Sequence, residues 1–420
     1  MRSPLGDLEE ALSTHVVKGF RMGTDRLIDP GETLAKMRPL MPLMGITRIA
    51  MITGLDRIGI PVAVAIRPNA RSLATSQGKG LTADLARTSA LMEAAELFHA
   101  EHSTLPLKFN CRRELQDTGH VMIDLDTLPK TPDARLDDDL EICWVESINL
   151  IDNTPLWIPY DLVHTNYTLP AVRSCHAFNA TSNGLASGNH LAESLVSALC
   201  EVVERDATTL WQQQTKNSRD GSLVDLSTVQ DTHCSDILGR FDKANVAVAV
   251  WEVTSDVGVP VFSCTIVDRE DSAFRPTPAA SGMGCHLDRR IALSRALTEA
   301  AQSRLTVMAG SRDDVSWKDY SRFHDRAVIA LIRSRILEAC PKRSFDEAPT
   351  VSHDTFSADI AYIVERFRCL NITQVAAVNL TRPDLNVPVV RVVAGGLEAP
   401  AASPDYVRGS RALSLLGETA

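Results

Sequence analysis

One segment recurs three times along this 420-residue chain. It is a short glycine-containing stretch, followed by a stretch with two acidic or amide side chains three residues apart. The copies align without a gap and span residues 78–96, 186–204 and 284–302. Their polar pairs are Glu93 and Glu96, Glu201 and Glu204, and Glu299 and Gln302. Side chains three residues apart lie on one face of a helix. The pattern therefore predicts three helices that present a polar pair at the same place.

The polar pairs stand among small apolar residues, which are typical of buried helices. A single pair of this kind is ordinarily a solvated helix face, but three copies in register favour a shared site. The copies are too far apart in sequence for a stacked solenoid, so we expect pseudo-symmetric units that face one another. Buried carboxylates are costly unless they are paired or bound to metal. Five glutamates in one such site therefore predict a cation.

Four pairs of apolar, β-branched runs predict β-hairpins, because each pair is joined by a short turn rich in Asp, Gly or Pro. The pairs span residues 46–68, 142–160, 246–268 and 372–398. The first three precede one copy of the repeat each, so the predicted unit is a hairpin, a glycine loop and an acidic helix. Apolar periodicity predicts further helices at about residues 7–18, 325–340, 356–370 and 406–416. Polar stretches at 131–139 and 216–231 are expected to be surface loops. The fold class is therefore α+β.

Composition restricts the possible functions. The hydrophobic content of 44% and the charged content of 23% are ordinary for a globular protein. A net charge of -10 argues against nonspecific binding of nucleic acid, which needs a basic face. No apolar run is long enough to span a membrane, and the N-terminus has no apolar signal core. We therefore expect a cytoplasmic protein whose partners are neither nucleic acid nor a membrane.

The nine cysteines form no Cys-x-x-Cys pair. Their spacing therefore predicts no zinc site, and we expect buried free thiols in a reducing cytoplasm. Cys175 is followed directly by His176. A role of Cys175 as a nucleophile is the less favoured interpretation, and packing is the more favoured one.

Oxygen donors in this number suit Mg²⁺, which usually shares its coordination sphere with substrate phosphates. The glycine stretches at 76–80, 182–188 and 281–284 are predicted to be loops whose backbone N–H groups approach a phosphate, although such stretches are ordinarily only turns. Cations near the acidic positions suit phosphate oxygens or structural ion pairs: Lys79, Arg205, Arg304 and Arg312. Together these features predict a nucleotide site with magnesium between glutamates and phosphates.

The motif Ser-x3-Glu-x2-Glu-Arg at 197–205 resembles the YcaO family, as do the related motif at 89–96 and the stretch at 299–314. The resemblance covers about residues 21–398, and the segments at 23–26 and 53–61 resemble the branch that accompanies TfuA proteins. Members use ATP and magnesium to activate the oxygen of a peptide backbone amide. The resemblance implies a YcaO-like catalytic domain at 46–398, preceded by a segment at 1–45 and followed by a tail at 399–420.

The resemblance also implies roles for individual residues. One set would hold magnesium: Glu93, Glu96, Glu201, Glu204, Glu299 and Gln302. A second set would contact ATP: Lys79, Ser89, Ser197, Arg205, Arg304 and Arg312. No separate catalytic residue is assigned. A homodimer is implied by the resemblance alone.

The expected reaction is thioamide formation on a precursor peptide, with a TfuA-like partner and a sulfur donor. Azoline-forming members often end in a Pro-rich tail, whereas this chain ends Ser-Leu-Leu-Gly-Glu-Thr-Ala. It also has Gly395 where relatives commonly have Pro. No leader-binding domain is seen in the chain, so peptide recruitment is expected to be external. Azoline or amidine formation, and a non-catalytic nucleotide-sensing scaffold, remain alternatives.

Overall fold

A computed structural model describes residues 4–170, 177–178, 180–271, 277–403 and 405–417. The helices are α1 (Pro4–Ser13), α2 (Pro30–Met37), α3 (Ala83–Glu101), α4 (Arg112–Asp117), α5 (Leu191–Gln213), α6 (Lys216–Gly221), α7 (Thr232–Lys243), α8 (Arg289–Ala309), α9 (Trp317–Phe323), α10 (Arg326–Leu337), α11 (Phe356–Cys369) and α12 (Ser410–Leu416). The first seven strands are β1 (Arg48–Met51), β2 (Val62–Ile66), β3 (Thr75–Lys79), β4 (Leu107–Asn110), β5 (Ile142–Asn149), β6 (Thr154–Pro159) and β7 (Leu185–Ser187). The others are β8 (Val224–Asp225), β9 (Val246–Glu252), β10 (Val261–Asp268), β11 (Ala280–Cys285), β12 (Arg343–Ser344), β13 (Val375–Asn379) and β14 (Val389–Ala394).

The first and third copies of the repeat have the same local topology. Strands β1, β2 and β3 form an antiparallel three-stranded sheet on which α3 packs. Strands β9, β10 and β11 form a second sheet of this kind, on which α8 packs. The predicted hairpins at 46–68 and 246–268 are therefore confirmed. In both units the strand after the hairpin extends the sheet and leads into the acidic helix.

The second copy departs from the predicted unit. The hairpin β5–β6 forms as predicted, but β7 pairs with β14, with Leu185 opposite Arg391. Strand β7 therefore lies at one end of a six-stranded sheet with the order β4-β5-β13-β14-β7, in which β6 also pairs with β5. The fourth hairpin, β13–β14, thus supplies the sheet beneath α5. The order of hairpin, glycine stretch and acidic helix is thus kept, but the expected pseudo-symmetric unit is not confirmed for this copy, because local sequence patterns identify strands and not their distant partners.

The three predicted glycine loops are largely strands, and their glycines allow close packing of the acidic helices. A Cβ atom added to Gly78 would lie 2.0 Å from the backbone nitrogen of Ala90. A Cβ atom on Gly282 would lie 2.2 Å from the backbone nitrogen of Ala300. Such distances are impossible for non-bonded atoms, so only glycine lets helix and strand backbones approach this closely. The expected loops are thus strands over β3, β7 and β11, because tertiary packing gives the same glycine signal. Contact of their backbone N–H groups with a phosphate stays a prediction.

The remaining elements are largely those predicted. Helices α10 and α11 confirm the periodicity at 325–340 and 356–370, whereas α12 is shorter than the predicted 406–416. The stretch at 216–231 contains α6, so its assignment as a loop was wrong. Buried free thiols are found, as expected, at Cys111, Cys200, Cys234, Cys264 and Cys285, whereas Cys340 and Cys369 are exposed. The pair Cys175–His176 lies outside the described residues. No helix among the described residues is long and apolar enough to cross a membrane.

Candidate functional site

Helices α3, α5 and α8 line one cavity of about 850 Å³ with their polar pairs. Eleven of the twelve residues predicted for the site lie in its wall: Lys79, Ser89, Glu93, Glu96, Ser197, Glu201, Glu204, Arg205, Glu299, Gln302 and Arg312. The three helices begin with side-chain caps from Thr82, His190 and Asp288. These caps orient the start of each helix. The cavity thus brings together side chains that are more than 200 positions apart in sequence, such as Lys79 and Glu299, whose Nζ and Oε2 atoms are 2.6 Å apart.

Arg304 is the predicted site residue that does not line this cavity. Its Nη1 donates to Oδ1 of Asp268 at 2.9 Å, and its Nε lies 3.6 Å from Oδ2 of Asp56. The side chain is 2% exposed. The position that the resemblance assigns to nucleotide binding is thus occupied by a buried ion pair, and Arg304 is better described as a structural residue.

Burial makes several of the glutamates weak acids. It raises the pKa of Glu93 and Glu201 to about 7 and that of Glu96 to about 8. Glu96 stays above its ordinary pKa although Ser187 donates to its Oε1 from both N and Oγ, at 2.8 and 2.7 Å. These shifts mean that the ionised carboxylates lack sufficient positive charge from the protein.

Glu299 behaves differently because it has a close cation. Burial acts to raise its pKa, but Lys79 and Arg205 outweigh burial and hold the pKa below the usual value. Its Oε1 also accepts a hydrogen bond from the backbone N–H of Met283 at 3.2 Å. Glu299 is therefore ionised when its neighbours are partly protonated.

Arg205 lies between two carboxylates of its own helix and is close to both, but it forms a short ion pair with neither. Its Nη2 is 3.8 Å from Oε1 of Glu201 and 3.7 Å from Oε1 of Glu204. Burial acts to lower the pKa of Arg205, whereas Glu204 and the other carboxylates act to raise it. The carboxylates outweigh burial, so the pKa of Arg205 is raised. Arg312, at the far side, donates from Nε to Oδ1 of Asp314 at 2.7 Å. Both guanidinium groups remain charged and lie in the cavity wall.

The donor set fits Mg²⁺ held together with phosphates. It consists of oxygen atoms from five carboxylates and one amide, which are ligands suited to Mg²⁺, and its glutamates are short of positive charge. Among the described residues, no three His, Cys, Asp or Glu side chains are grouped closely enough to hold a metal by themselves. The arrangement therefore suits a cation whose remaining ligands come from a nucleotide.

The sequence reasoning missed several residues of the cavity wall. Arg26 enters from the N-terminal segment, with its Nη1 3.5 Å from both Oγ of Ser197 and Oε1 of Glu193. Thr33, in α2, donates to Oδ1 of Asn189 at 3.2 Å. Pattern alone gave no reason to bring this segment to the acidic helices.

Arg295 was also missed, although a signal for it was present. It stands in register with Ser89 and Ser197 in the aligned repeat. It lines the cavity, and its Nε has no hydrogen-bond partner among the described residues. A cation at the position where the other copies have a hydroxyl distinguishes the third helix from the first two.

A cavity with this combination of carboxylates and cations is typical of proteins that bind magnesium together with a nucleotide. The family model described as YcaO cyclodehydratase, ATP- and Mg²⁺-binding, matches residues 77–398. The chain is 33% identical over 403 residues to an uncharacterised protein in the tfuA 3′ region of Rhizobium leguminosarum bv. trifolii, covering 93% of both chains. It is 35% identical over 388 residues to an uncharacterised protein of Methanothermobacter thermautotrophicus, covering 90% of this chain and 97% of the relative. The chain belongs to the YcaO family.

Solved structures support the fold. YcaO from Methanopyrus kandleri bound with AMPPCP and Mg²⁺ superposes with a TM-score of 0.71 at 22% identity, covering 91% of this chain and 95% of that one. A heterocyclase in complex with substrate and cofactor gives a TM-score of 0.78 at 22% identity. The match covers 99% of this chain but only 59% of the heterocyclase. At this identity the likeness establishes the fold alone.

Proposed function

We propose that this protein uses ATP and Mg²⁺ to activate a peptide backbone amide and installs a thioamide. The observation that carries the proposal is the cavity into which three helices bring five glutamates and Gln302, together with Lys79 and Arg205. The family to which the chain belongs is described as ATP- and Mg²⁺-binding, and this donor set fits that chemistry.

The proposed magnesium ligands are Glu93, Glu96, Glu201, Glu204, Glu299 and Gln302. The proposed nucleotide contacts are Lys79, Ser89, Ser197, Arg205 and Arg312. We add Arg26 and Arg295 to this proposal because both line the same cavity. Arg304 is left out of this set because Asp268 and Asp56 hold it elsewhere.

Bound ATP would supply a phosphoryl group to the amide oxygen, with ADP as the leaving group. Attack of hydrosulfide on the amide carbon would form the C–S bond and break the C–O bond, so that the oxygen departs as phosphate and a thioamide remains. Arg205 and Lys79 each carry a positive charge close to buried carboxylates. They therefore offset part of the negative charge of the cavity wall. Ser187 restrains Glu96 through its two hydrogen bonds.

The choice of thioamide rests on the relative in the tfuA 3′ region. A TfuA-like partner, a sulfur donor, a homodimer and a cytoplasmic location belong to the same proposal. The structural likeness to a heterocyclase favours azoline formation as the second candidate. Product mass separates the two, because a thioamide exchanges oxygen for sulfur whereas an azoline results from loss of water.

The first test is calorimetric binding of ATP with and without Mg²⁺. Wild-type protein is expected to bind only when Mg²⁺ is present, and Glu201→Gln is expected to lose this binding while remaining folded. Glu365→Gln, on an exposed position of α11, is the matched control and should bind like wild type. Equal binding by wild type and Glu201→Gln would contradict the proposal. Binding without turnover on any peptide and sulfur donor would favour the nucleotide-sensing scaffold.

A further inference from the structure

A second, smaller pocket lies behind the wall of the large cavity. Its volume of about 50 Å³ is too small for a nucleotide, but it has room for a small ion, because about 10 to 15 Å³ of such space holds one water. Ser182 lines the large cavity, whereas its neighbours Thr181 and Asn183 line the small pocket. On α5, Glu201 lines the large cavity and Val202 the small pocket. The two spaces therefore share a wall.

Arg391, in β14, gives the small pocket a buried positive charge. Arg391 lines the pocket and is 2% exposed, and its Nε and Nη1 have no hydrogen-bond partner among the described residues. Burial lowers its pKa to about 10, so the guanidinium is still charged at neutral pH. A buried charge without a partner is costly. Water would satisfy the N–H groups but leave the charge uncompensated, so the pocket is suited to an anion.

The carboxylates around Arg391 are engaged elsewhere. Glu398 also lines the pocket, but its Oε1 accepts from the backbone N–H of Ala412 and its Oε2 from that of Gly409, each at 2.9 Å. Glu201 acts to raise the pKa of Arg391, but its carboxylate lines the large cavity, where it belongs to the proposed magnesium ligands. In the part of the chain that the structure describes, Arg391 thus forms no ion pair.

Asn183 favours one kind of anion over others. Its Oδ1 atom is buried and also has no hydrogen-bond partner among the residues described. An acceptor that shares a pocket with a guanidinium suits a ligand that is an anion and also carries a hydrogen to donate. Halides and carboxylates have no such hydrogen, whereas hydrosulfide is an anion with an S–H group, which is a weak donor.

We propose that the Arg391 pocket, defined by Thr181, Asn183, Val202, Arg391 and Glu398, binds hydrosulfide and holds it behind the wall of the large cavity. Arg391 compensates the charge of the anion, and Asn183 accepts from its S–H group. This inference rests on the proposed function, because it takes the sulfur nucleophile of that reaction as the ligand of the pocket.

Anaerobic equilibrium dialysis of the full-length protein against radiolabelled sulfide, without nucleotide, measures this binding directly. The wild type is expected to retain sulfide saturably. Arg391→Met removes the charge but keeps a side chain of similar length, and it should weaken retention about tenfold or more, because a charge-assisted interaction is lost. Asn183→Leu should weaken retention about fivefold, and it tests the same pocket even if Arg391→Met does not fold.

Arg38→Met is the matched control, because it makes the same change at an exposed arginine. It should retain sulfide like wild type. Absence of saturable retention by wild type, or unchanged retention in both pocket variants, would overturn the inference. Displacement of sulfide by an equal concentration of acetate or chloride would also overturn it, because the pocket would then take anions that have no hydrogen to donate.

Two further measurements separate this inference from the proposed function. Asn183→Leu should bind ATP with Mg²⁺ like wild type in calorimetry, because Asn183 lines the small pocket and not the large cavity. In peptide thioamidation it should raise the KM for sulfide and leave the KM for ATP unchanged. Thioamide formation with an unchanged KM for sulfide in both pocket variants would overturn the pocket and leave the proposed function standing. Saturable sulfide binding without any thioamide product would contradict the proposed function and leave the pocket standing.

Discussion

At the scale of single residues, position in the cavity gives glutamates different acidities. Burial raises the pKa of Glu96 to about 8, whereas Lys79 and Arg205 overcome burial and lower the pKa of Glu299. One protein thus holds ionised and partly protonated carboxylates side by side at neutral pH. Bound Mg²⁺ would supply the positive charge that the protein itself does not provide to these carboxylates.

Glu96→Gln is expected to stabilise the ligand-free protein at alkaline pH. The folded state holds the proton of Glu96 up to a pKa of about 8, whereas the unfolded chain releases it near 4.5. Stability of the wild type therefore falls as pH rises through this window, and the amide removes that loss while still accepting from Ser187. We expect the variant to gain about 4 kcal/mol in free energy of unfolding between pH 5 and 8.5 relative to wild type.

Urea unfolding without Mg²⁺ at both pH values measures this gain. Glu365→Gln should show no pH-dependent difference from wild type, because Glu365 is exposed. A variant that is less stable than wild type at pH 8.5 would show that Glu96 already has a counter-charge in the folded protein.

Arg304→Gln is expected to destabilise the fold. Loss of the guanidinium leaves the carboxylates of Asp268 and Asp56 without a buried partner, which costs about 3 kcal/mol. Arg312→Gln is the contrasting variant, because Arg312 lines the cavity and pairs with a half-exposed Asp314. It should keep its melting temperature and weaken ATP binding. A stable Arg304→Gln that binds ATP poorly would restore Arg304 to the nucleotide set.

At the scale of elements, the contact of acidic helices with glycine strands sets the geometry of the cavity. Gly78 and Gly282 allow α3 and α8 to lie directly on β3 and β11. Small residues on the helix side, such as Ala90 and Ala300, complete these contacts and are fully buried. The polar pairs therefore reach the cavity from helices held close to their sheets.

Gly78→Ala is expected to cost 3 kcal/mol or more, roughly the cost of severe overpacking in a core. Its added Cβ would meet the backbone of α3, which cannot move aside as a flexible side chain can. Gly239→Ala, in α7, is the matched control, since its added Cβ has open space. That change should stabilise the protein by up to about 1 kcal/mol because Ala favours a helix. Thermal and urea unfolding compare the two variants, and similar stabilities would contradict this account of β3.

At the scale of the whole molecule, the cavity joins elements that are far apart along the chain. Lys79 of the first sheet bonds Glu299 of α8, and Ser187 of β7 bonds Glu96 of α3. A ligand in this cavity would therefore bridge all three acidic helices. Binding of such a ligand would stabilise the whole structure against unfolding, and not one element alone.

A nonhydrolysable ATP analogue with Mg²⁺ is expected to raise the melting temperature, corresponding to about 2.7 kcal/mol at a hundred times its Kd. Mg²⁺ alone should have little effect, because no three potential ligands are grouped in the described parts of the chain. Glu201→Gln should abolish the shift. Scanning calorimetry checks the prediction, and an equal shift with Mg²⁺ alone would indicate a preformed metal site.

The family resemblance predicted twelve site residues, of which eleven line the cavity. The sequence by itself determined the repeated acidic helices, the four hairpins and the α+β class. These depend on local periodicity and turn chemistry, which adjacent residues carry. Only the tertiary structure decided that β7 pairs with β14, that the glycines serve helix packing, and that Arg26 and Arg295 join the cavity while Arg304 does not. Each of these depends on which distant backbone or charge lies nearby. A glycine or an arginine at one position is compatible with more than one role, and tertiary packing decides which role it takes.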